Sequence, residues 1–452
     1  MTETLSNPVF RPIDPYVSAF ERLFAAEQDR TPDWISKLRQ NGFMHYQELG
    51  LPGPDHEEWR FTNISPLASR PTVPILVHTH PPLTMANLQP WLIPGLECNR
   101  LVFIDGHYSA QLSEIKSKAE GLKICSLARA MTIKTALVEP HLGRHAQATS
   151  QAFVALNTAF FQDGAFIWVP AGLALVEPVH LLFISTVPET GASIHPRNLI
   201  LVQRDARLQV IETYAQLKEG ENLTNTVTEI VAGPNARVEH CKYQCEGPQS
   251  YHLAAIQIHQ EAHSETVSHS ISLGGRLARN DIQSHFAGAG GNSLFNGLYL
   301  AGNDQLTDHH TVIDHAQPHC GSHEFYNGIL HGRGRGVFNG KIFVRPGAQK
   351  TEAKQTNRNL VLSDEAVIDT KPQLEIFADD VKCTHGATVG QLDSEALFYL
   401  QSRGIGRDLA RQMLMHAFAQ EIIDRVGNEP LRDYLDARVQ EQLAAIPLPV
   451  NS

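Results

Sequence analysis

The pattern of hydrophobic and polar positions divides the 452-residue chain into three regions. Apolar residues recur mainly at helical spacing in region 1–162, whereas region 163–390 is built of short β-branched runs bounded by turn residues. Region 391–452 returns to helical spacing. We therefore predict an N-terminal mainly helical domain, a β domain and a C-terminal helical domain with these boundaries, since the chain is too long for one ordinary core.

The N-terminal region is predicted to contain several helices. One begins at Asp14, and a second spans residues 32–42, where a proline opens it and a glycine closes it. A buried helix is predicted over residues 152–161, ahead of an Asp-Gly stop. The run at 56–62 either belongs to a binding site or forms an amphipathic turn whose Trp59 packs on the core, and the second interpretation is favoured.

The β region repeats a short sequence pattern. Its predicted strands, such as 166–170 and 179–184, are short and β-branched. Asn296-Gly297 recurs as Asn339-Gly340, with a weaker copy at 327–328, and each pair favours a tight turn because both residues tolerate positive φ. Imperfect repetition of strand and turn predicts a right-handed parallel β-helix, in which each coil packs on the next. A hairpin-based sheet is the alternative.

Three helices are predicted in the C-terminal region. Asp393 caps the first, which ends at Gly404. The second begins at Asp408 and the third after Pro430, and both carry apolar residues at four-residue steps. Because such short helices cannot form a large core, we expect them to pack on the end of the solenoid or on another protein.

Composition and charge narrow the functional classes. With 42% hydrophobic and 19% charged residues the chain is a folded protein, and a net charge of -11 without a basic block disfavours nucleic-acid binding. The most apolar stretch, residues 165–176, contains a proline and is too short to span a membrane. Six irregularly spaced cysteines and an N-terminus unlike a signal peptide predict reduced thiols in a cytoplasmic protein.

Residue spacing excludes some chemical sites and leaves others open. Glycine-rich residues 332–341 match neither a phosphate loop nor a dinucleotide fingerprint, so we expect no nucleotide site. Without a CxxC pair, a self-contained zinc or four-cysteine cluster site is not expected. Cys241 and Cys245 would share a strand face about 13 Å apart, which favours packing.

A dense group of histidines is compatible with two interpretations. On strands, alternate members face one side and can hold iron or zinc; otherwise they form a polar outer face and turns. The group comprises Asp308, His309, His310, His315, His319, Cys320 and His323.

Cys383 and His385 form a second candidate site, at the point where the β pattern gives way to helices. On a strand, side chains two residues apart point to the same face, roughly 6 to 7 Å apart. The pair can therefore meet one metal centre or one partner surface. From the pair alone, a buried free cysteine beside a satisfied histidine is favoured.

Four ordered motifs run through most of the chain: 153–160, 169–172, 383–390 and 397–405. Together they resemble the SufB/SufD family of the SUF system for iron-sulfur cluster assembly. The Cys-x-His-Gly-Ala-Thr form at 383–388 is similar to SufD, since SufB usually has Glu-His-Glu-Ala-Thr there. The lack of a CxxC pair also agrees with SufD.

The resemblance implies a scaffold subunit without catalysis of its own, with a right-handed parallel β-helix between two helical domains. It implies pairing with a SufB-like paralogue, binding of a SufC-like ATPase that hydrolyses ATP, and a possible homodimer when alone. His385 would help to hold a transient iron-sulfur cluster shared with the SufB-like partner. Cys383, its neighbour in the motif, has a weaker claim to a role at that cluster. The implied SufC-docking residues are Phe398, Tyr399, Leu400, Arg403, Gly404 and Ile405.

Two other classes of function are compatible with the residues. A β-helix enzyme acting on an acidic polysaccharide would use Asp304, Asp308 and Asp314, with nearby histidines, as metal ligands or general bases. A stand-alone iron carrier would use the histidine group and bind iron tightly as a single chain. The predicted cytoplasmic location, the lack of an aromatic-rich run and the long C-terminal helices argue against the polysaccharide enzyme.

Overall fold

The computed structural model describes residues 15–27, 31–70, 72–77, 82–187 and 191–447, with helices on both sides of a long run of strands. The helices are α1 Pro15–Glu27, α2 Asp33–Leu49, α3 Ser65–Ser69, α4 Met85–Leu88, α5 Leu127–Ile133, α6 Thr135–Val138, α7 Ala152–Phe160, α8 Ser394–Ser402, α9 Arg407–Ile423 and α10 Glu429–Ala444. Two 3-10 turns lie at Glu57–Trp59 and Gln89–Trp91.

The strands up to the middle of the chain are β1 Val73–Pro74, β2 Asn99–Ile104, β3 His107–Tyr108, β4 Lys123–Ser126, β5 Ala165–Val169, β6 Val179–Ser185, β7 Ala192–Ile194, β8 Arg197–Val202, β9 Arg207–Gln216, β10 Asn222–Ala232 and β11 Arg237–Gln244. The later strands are β12 Tyr251–Gln260, β13 Glu265–Ser272, β14 Leu277–Phe286, β15 Asn292–Ala301, β16 Leu306–His315, β17 Gly321–Leu330, β18 Arg335–Val344, β19 Glu352–Val361, β20 Val367–Ile376 and β21 Lys382–Gly390.

The strands form two sheets that wind into a solenoid. Sheet A has the order β4-β5-β8-β10-β12-β14-β16-β18-β20, and sheet B the order β3-β2-β6-β9-β11-β13-β15-β17-β19-β21. From β8 onward the chain alternates between the sheets, and each strand pairs in parallel with its equivalent on the preceding coil. The fold is a β-solenoid of about 8 turns, which confirms the predicted β-helix and excludes the hairpin-based sheet.

Inside the solenoid, an apolar part adjoins a polar part. Side chains alternate between interior and exterior along each strand, and residues such as Ile256, Ile282 and Phe338 build the apolar part. In the polar part, the buried carboxylate of Glu212 accepts hydrogen bonds from Tyr214 (2.6 Å) and from Thr228 (2.9 Å). At Glu212 the buried polar groups thus satisfy one another, as burial requires.

Each group of flanking helices covers the outer face of one sheet. On sheet A, Phe43 and Phe160 from the N-terminal helices pack with Leu253. On sheet B, Phe418 of α9 packs in one cluster with Leu298. The C-terminal helices therefore lie along the side of the solenoid rather than on its end, which corrects that expectation.

The predicted Asn-Gly turns are wrong, because the pairs at 296–297, 327–328 and 339–340 lie inside β15, β17 and β18. A Cβ on Gly297 would lie 2.1 Å from the ring of Tyr326, and one on Gly328 would lie 2.4 Å from the ring of Tyr299. Register places each of these glycines directly beside the tyrosine of the adjacent coil. Glycine serves here to admit an aromatic ring, not to turn the chain.

The helix predictions hold in most places. The helix expected from Asp14 is α1, which begins at Pro15, while Asp14 itself lies outside the described residues. α2 continues past its predicted end at Gly42 to Leu49; the missing Cβ of Gly42 lets Thr158 approach, since a Cβ there would lie 2.8 Å from that side chain. The helix over 152–161 and the three C-terminal helices are confirmed. No described helix is long and apolar enough to cross a membrane.

The four strands of the N-terminal region, β1 to β4, were not predicted. β2 pairs in parallel with β6, and β4 pairs with β5, so both extend the solenoid sheets. The boundaries between the three predicted domains stay predictions.

Candidate functional site

The last coil of the solenoid leaves two strands at the sheet edges. β20 ends sheet A and β21 ends sheet B among the described strands. Both are accessible: exposed apolar side chains are Val367 on β20, Phe377 directly after it and Val389 on β21. An edge strand presents unpaired backbone N–H and C=O groups to any chain that can add to it.

Cys383 and His385 lie on β21, as predicted, and share one strand face. Cys383 pairs with Ala353 and packs beside Val344 and Ala353, whereas His385 pairs with Gln355 and its side chain is exposed. Burial raises the pKa of the Cys383 thiol, which keeps it protonated at neutral pH. Of the two, the imidazole is the more accessible ligand.

A polar stack continues from His385 into the solenoid. Gln355, its register neighbour, is buried and donates through Nε2 to the carboxylate of Glu324, 2.5 Å away. Burial raises the pKa of Glu324 to about 7, so this carboxyl exchanges its proton near neutral pH. Residues 324 and 355 were not singled out from the sequence, because only the coil-to-coil register places them beneath His385.

The predicted docking residues lie on α8 and the turn that follows it. Asp393 caps the helix, accepting from the backbone N–H groups of Glu395 and Ala396. α8 has no buried residue, and Phe398 and Tyr399 are 73% and 57% exposed. We call these predicted docking residues the α8 surface: Phe398, Tyr399, Leu400, Arg403, Gly404 and Ile405.

The histidine group at 308–323 is dispersed by the fold. His309 points into the solenoid, where its Nε2 lies 3.2 Å from the hydroxyl of Ser270, while His310 points outward and His319 lies in an exposed turn. Within the described residues, no three His, Cys, Asp or Glu side chains are arranged to hold a metal ion. The interpretation as a metal site is therefore not supported, and a polar outer face accounts for only part of the group.

Asp308 and His310 instead attach the N-terminal region to sheet A. Nη1 of Arg279 donates to Asp308 (2.7 Å), and His310 lies 3.0 Å from Asp308 and 3.2 Å from Glu58. Burial opposes the charge on His310, but the carboxylates of Asp308 and Glu58 together outweigh it and raise the pKa of His310 to about 9. The arrangement is a buried charge network, with the role of a structural clamp.

Trp59 packs on the core, as favoured from the sequence. Its ring lies 5.3 Å from that of Phe153, and the guanidinium of Arg279 lies 3.9 Å from its centre. A cavity of about 260 Å³ borders this contact.

The acidic residues considered for a polysaccharide enzyme do not form one site. Asp304 pairs with Arg333 in an exposed turn, Asp308 is buried in the clamp, and Asp314 binds Arg345. Cys241 and Cys245 pack in the cluster between sheet B and the C-terminal helices. None of these residues offers a common reaction centre.

These features define a class: a helix-flanked parallel β-solenoid with an accessible last coil. Comparison with known proteins then identifies the family. The SufBD core domain model of the SUF system for FeS cluster assembly matches residues 183–418, and the model of the SufBD protein N-terminal region matches residues 13–181. The chain belongs to the SufBD family of iron-sulfur cluster assembly proteins, as the motifs indicated.

Individual relatives agree with this assignment. A SufBD family protein of a Synechocystis species is 33% identical over 386 residues, which cover 84% of each chain. The iron-sulfur cluster assembly protein SufD of Escherichia coli is 32% identical over 88% of this chain and 92% of its own length. SufD of Bacillus subtilis is 23% identical over 92% of this chain and 96% of its own.

Proposed function

We propose that this chain is a non-catalytic cytoplasmic scaffold subunit of a SUF complex, which pairs with a SufB-like chain and binds a SufC-like ATPase. His385 supplies an imidazole to a cluster assembled between the two scaffold chains. The observation that carries this proposal is the exposed position of His385 on the edge strand of the last coil.

Pairing at the solenoid end is supported by the two edge strands. Their unpaired backbone groups suit the addition of strands from another chain, with side-chain contacts setting specificity. Exposed Phe377 and Val389 would supply apolar area to that contact. A homodimer through the same edges is the expected arrangement when the SufB-like partner is scarce.

The ligands near His385 suit a shared and temporary cluster. Its neighbours on the same face are the half-buried thiol of Cys383 and the amide of Gln355. Protein-bound iron-sulfur clusters are held mostly by four ligands, in most cases thiolates. This chain would contribute His385 and at most Cys383, so the remaining ligands come from the partner and the cluster stays transferable.

The α8 surface supports docking of the ATPase. Two exposed aromatic rings on a helix that buries no residue of its own are the type of anchor that interface hot spots use. The guanidinium of Arg403 lies 5.2 Å from the centre of the Tyr399 ring, which holds both side chains together.

The test of the cluster role is His385→Ala in the complex purified anaerobically with its partners. We expect the assembly to stay intact while the cluster yield falls, measured by absorbance and by iron and sulfide content. Thr384→Ala is the matched control, since Thr384 is exposed on the same strand and points to the opposite face. A cluster yield unchanged by His385→Ala would remove His385 from the proposal.

Docking is tested separately with Phe398→Ala combined with Tyr399→Ala. We expect the ATPase to be lost from the complex in native mass spectrometry, while the SufB-like chain remains. Asp433→Asn, an exposed change on α10, is the control and should retain the ATPase. Retention of the ATPase by the double variant would contradict docking at the α8 surface.

A further inference from the structure

A cavity lies between the N-terminal region and sheet A, beside the clamp. Its volume is about 260 Å³, just below the range of roughly 300 to 1,000 Å³ that holds drug-sized ligands. Residues between 49 and 59 and residues 150–154 form one wall, and residues of β10, β12, β14, β16 and β18 form the other. The cavity is apart from His385, which lies on β21, and from the α8 surface.

The wall that faces the clamp is rigid. Arg279 is buried and donates from Nε and Nη2 to the two carboxylate oxygens of Asp281, at 2.9 and 2.8 Å. The guanidinium of Arg279 is held in turn against the ring of Trp59. The Asp281 carboxylate is therefore fixed at the cavity while its side chain stays 24% exposed, and a preformed wall lowers the cost of binding.

Groups of opposite charge line the cavity. Glu58 and Asp281 supply carboxylates, and Lys341 supplies an ammonium. A hydrogen bond from His310 lowers the pKa of Glu58 to about 2, so this carboxylate is charged at neutral pH. The charge of Lys341 lowers the same pKa, which indicates that the Lys341 and Glu58 side chains are close.

The wall as a whole is close to electrically neutral. Arg279 and His310 also border the cavity, and Asp308 lies behind them, 2.7 Å from Arg279 and 3.0 Å from His310. The carboxylates of the set balance its cations, which are Glu58, Asp281 and Asp308 against Arg279, His310 and Lys341. A ligand without net charge suits such a wall best, because it adds no uncompensated charge.

Asp281 and Lys341 both have hydrogen-bonding capacity for a ligand. A carboxylate offers about four lone-pair sites and an ammonium three donors. Asp281 uses two sites on Arg279, and Nζ of Lys341 lies 3.2 Å from Glu375 in a partly exposed pair. Each can therefore bind one more group that enters the cavity.

The two charges are separated along sheet A by a distance that a small molecule can bridge. Parallel register places Asp281 beside His310, and His310 beside Asn339, two residues before Lys341. With strands about 4.8 Å apart and a rise of about 3.3 Å per residue, the Cα atoms of Asp281 and Lys341 are roughly 12 Å apart. Their side chains occupy part of that distance, which leaves room for a ligand whose own charges lie a few bonds apart.

The remainder of the cavity wall contains many apolar side chains. Leu49, Pro52, Phe153, Val154 and Leu253 line it. Apolar surface of a ligand gains free energy by leaving water for such a wall. The cavity thus combines two opposite charges with an apolar region.

We propose that this cavity binds a free amino acid as its zwitterion. The ammonium group contacts Asp281 and Glu58, the carboxylate contacts Lys341, and the side chain lies against the apolar wall. A simple anion or cation would leave one kind of charged group without a partner, and burial of such a group costs free energy. The inference is independent of the proposed scaffold function, so binding is expected in the isolated chain.

The first test is isothermal titration calorimetry of the isolated full chain with each of the common amino acids. We expect at least one to bind with a Kd of about 1 mM or tighter. Its N-acetyl derivative lacks the ammonium charge and its methyl ester lacks the carboxylate charge. Each derivative should bind about tenfold more weakly or worse, because each loses hydrogen bonds between charged groups.

Lys341→Met tests the assigned carboxylate partner. We expect binding of the amino acid to fall about tenfold, while the already weak binding of the methyl ester stays unchanged, since the ester has no carboxylate to lose. Lys354→Met is the matched control, because Lys354 is exposed on β19, outside the cavity, and this variant should bind like the wild type.

Three results would overturn the proposal: no amino acid bound at about 10 mM, equal binding of the amino acid and both derivatives, or unchanged binding by Lys341→Met. If that variant does not fold, the comparison of the derivatives on the wild-type chain decides alone. None of these results bears on His385, whose role is measured by cluster yield in the complex.

Discussion

The middle and the last coil of the solenoid use the same strand architecture in opposite surroundings. Every residue of β10 is buried, whereas β21 is exposed at all positions except Cys383. In the middle coils the N-terminal helices cover sheet A and the C-terminal helices cover sheet B. The difference shows that burial of a coil comes from the layers packed on it, and that the uncovered last coil is the part available to a partner.

The largest effect should appear in the middle coils, when a buried charge rather than an exposed one is removed. Glu229→Gln leaves the fully buried Arg197 without its counter-charge, and we expect a loss of about 3 to 5 kcal/mol in the free energy of unfolding. Denaturant unfolding measures it. Glu265→Gln, which breaks the exposed pair with Arg237, is the control and should change stability by less than about 1 kcal/mol. Equal effects for the two changes would show that burial does not make the Arg197–Glu229 pair more important for stability than an exposed pair.

Adding a methyl group to a strand glycine should also have different effects in the middle coils and in the last coil. Gly297→Ala forces a Cβ against the ring of Tyr326, and we expect a loss of about 1 to 3 kcal/mol. Gly386→Ala on β21 meets nothing within 4 Å, so it should be neutral within about 0.5 kcal/mol. Thermal unfolding of both variants makes the comparison. A neutral Gly297→Ala would show that the ring moves aside at little cost.

The clamp that joins the N-terminal region to the middle coils should respond to pH. Its His310 has a pKa raised to about 9 by Asp308 and Glu58, against about 6.5 when unfolded, so its contribution is complete below about pH 6.5 and is lost as pH rises through about 9. We expect a fall of roughly 2 to 3 kcal/mol in the free energy of unfolding across that window.

His310→Gln is the matched variant for that measurement, because glutamine cannot gain the charge. Between pH 6.5 and 9, its free energy of unfolding should change less with pH than that of the wild type. Parallel pH profiles for the two proteins would rule out His310 as the titrating group.

The smallest effect is expected on the last coil itself. Val389→Thr replaces a side chain that is 53% exposed, and the free energy of unfolding should stay within about 0.5 kcal/mol of the wild type. A loss above about 1 kcal/mol, measured by denaturant unfolding of the isolated chain, would mean that β21 is covered, for example by a second copy of the chain.

The sequence by itself determined the local elements and the family. Hydrophobic periodicity within a few residues distinguishes strands from helices, which is why β5, β6, α7 and the C-terminal helices were predicted close to their observed bounds. Helix caps such as Asp393 are equally local, because the side chain accepts hydrogen bonds from the backbone N–H groups two and three residues later. The position of Cys383 and His385 on one strand face followed from the same period.

Only the tertiary structure decided which of these elements meet. Two of the Asn-Gly pairs predicted as turns, at 296–297 and 327–328, are strand positions where an adjacent coil places a tyrosine. A group of histidines close in sequence was split between the interior and the outer face. His145 and His259, more than a hundred residues apart in sequence, instead came together, with ring centres 4.9 Å apart. The physical reason is register: contacts between coils depend on the summed lengths of intervening turns, and one residue of slip reverses every side chain.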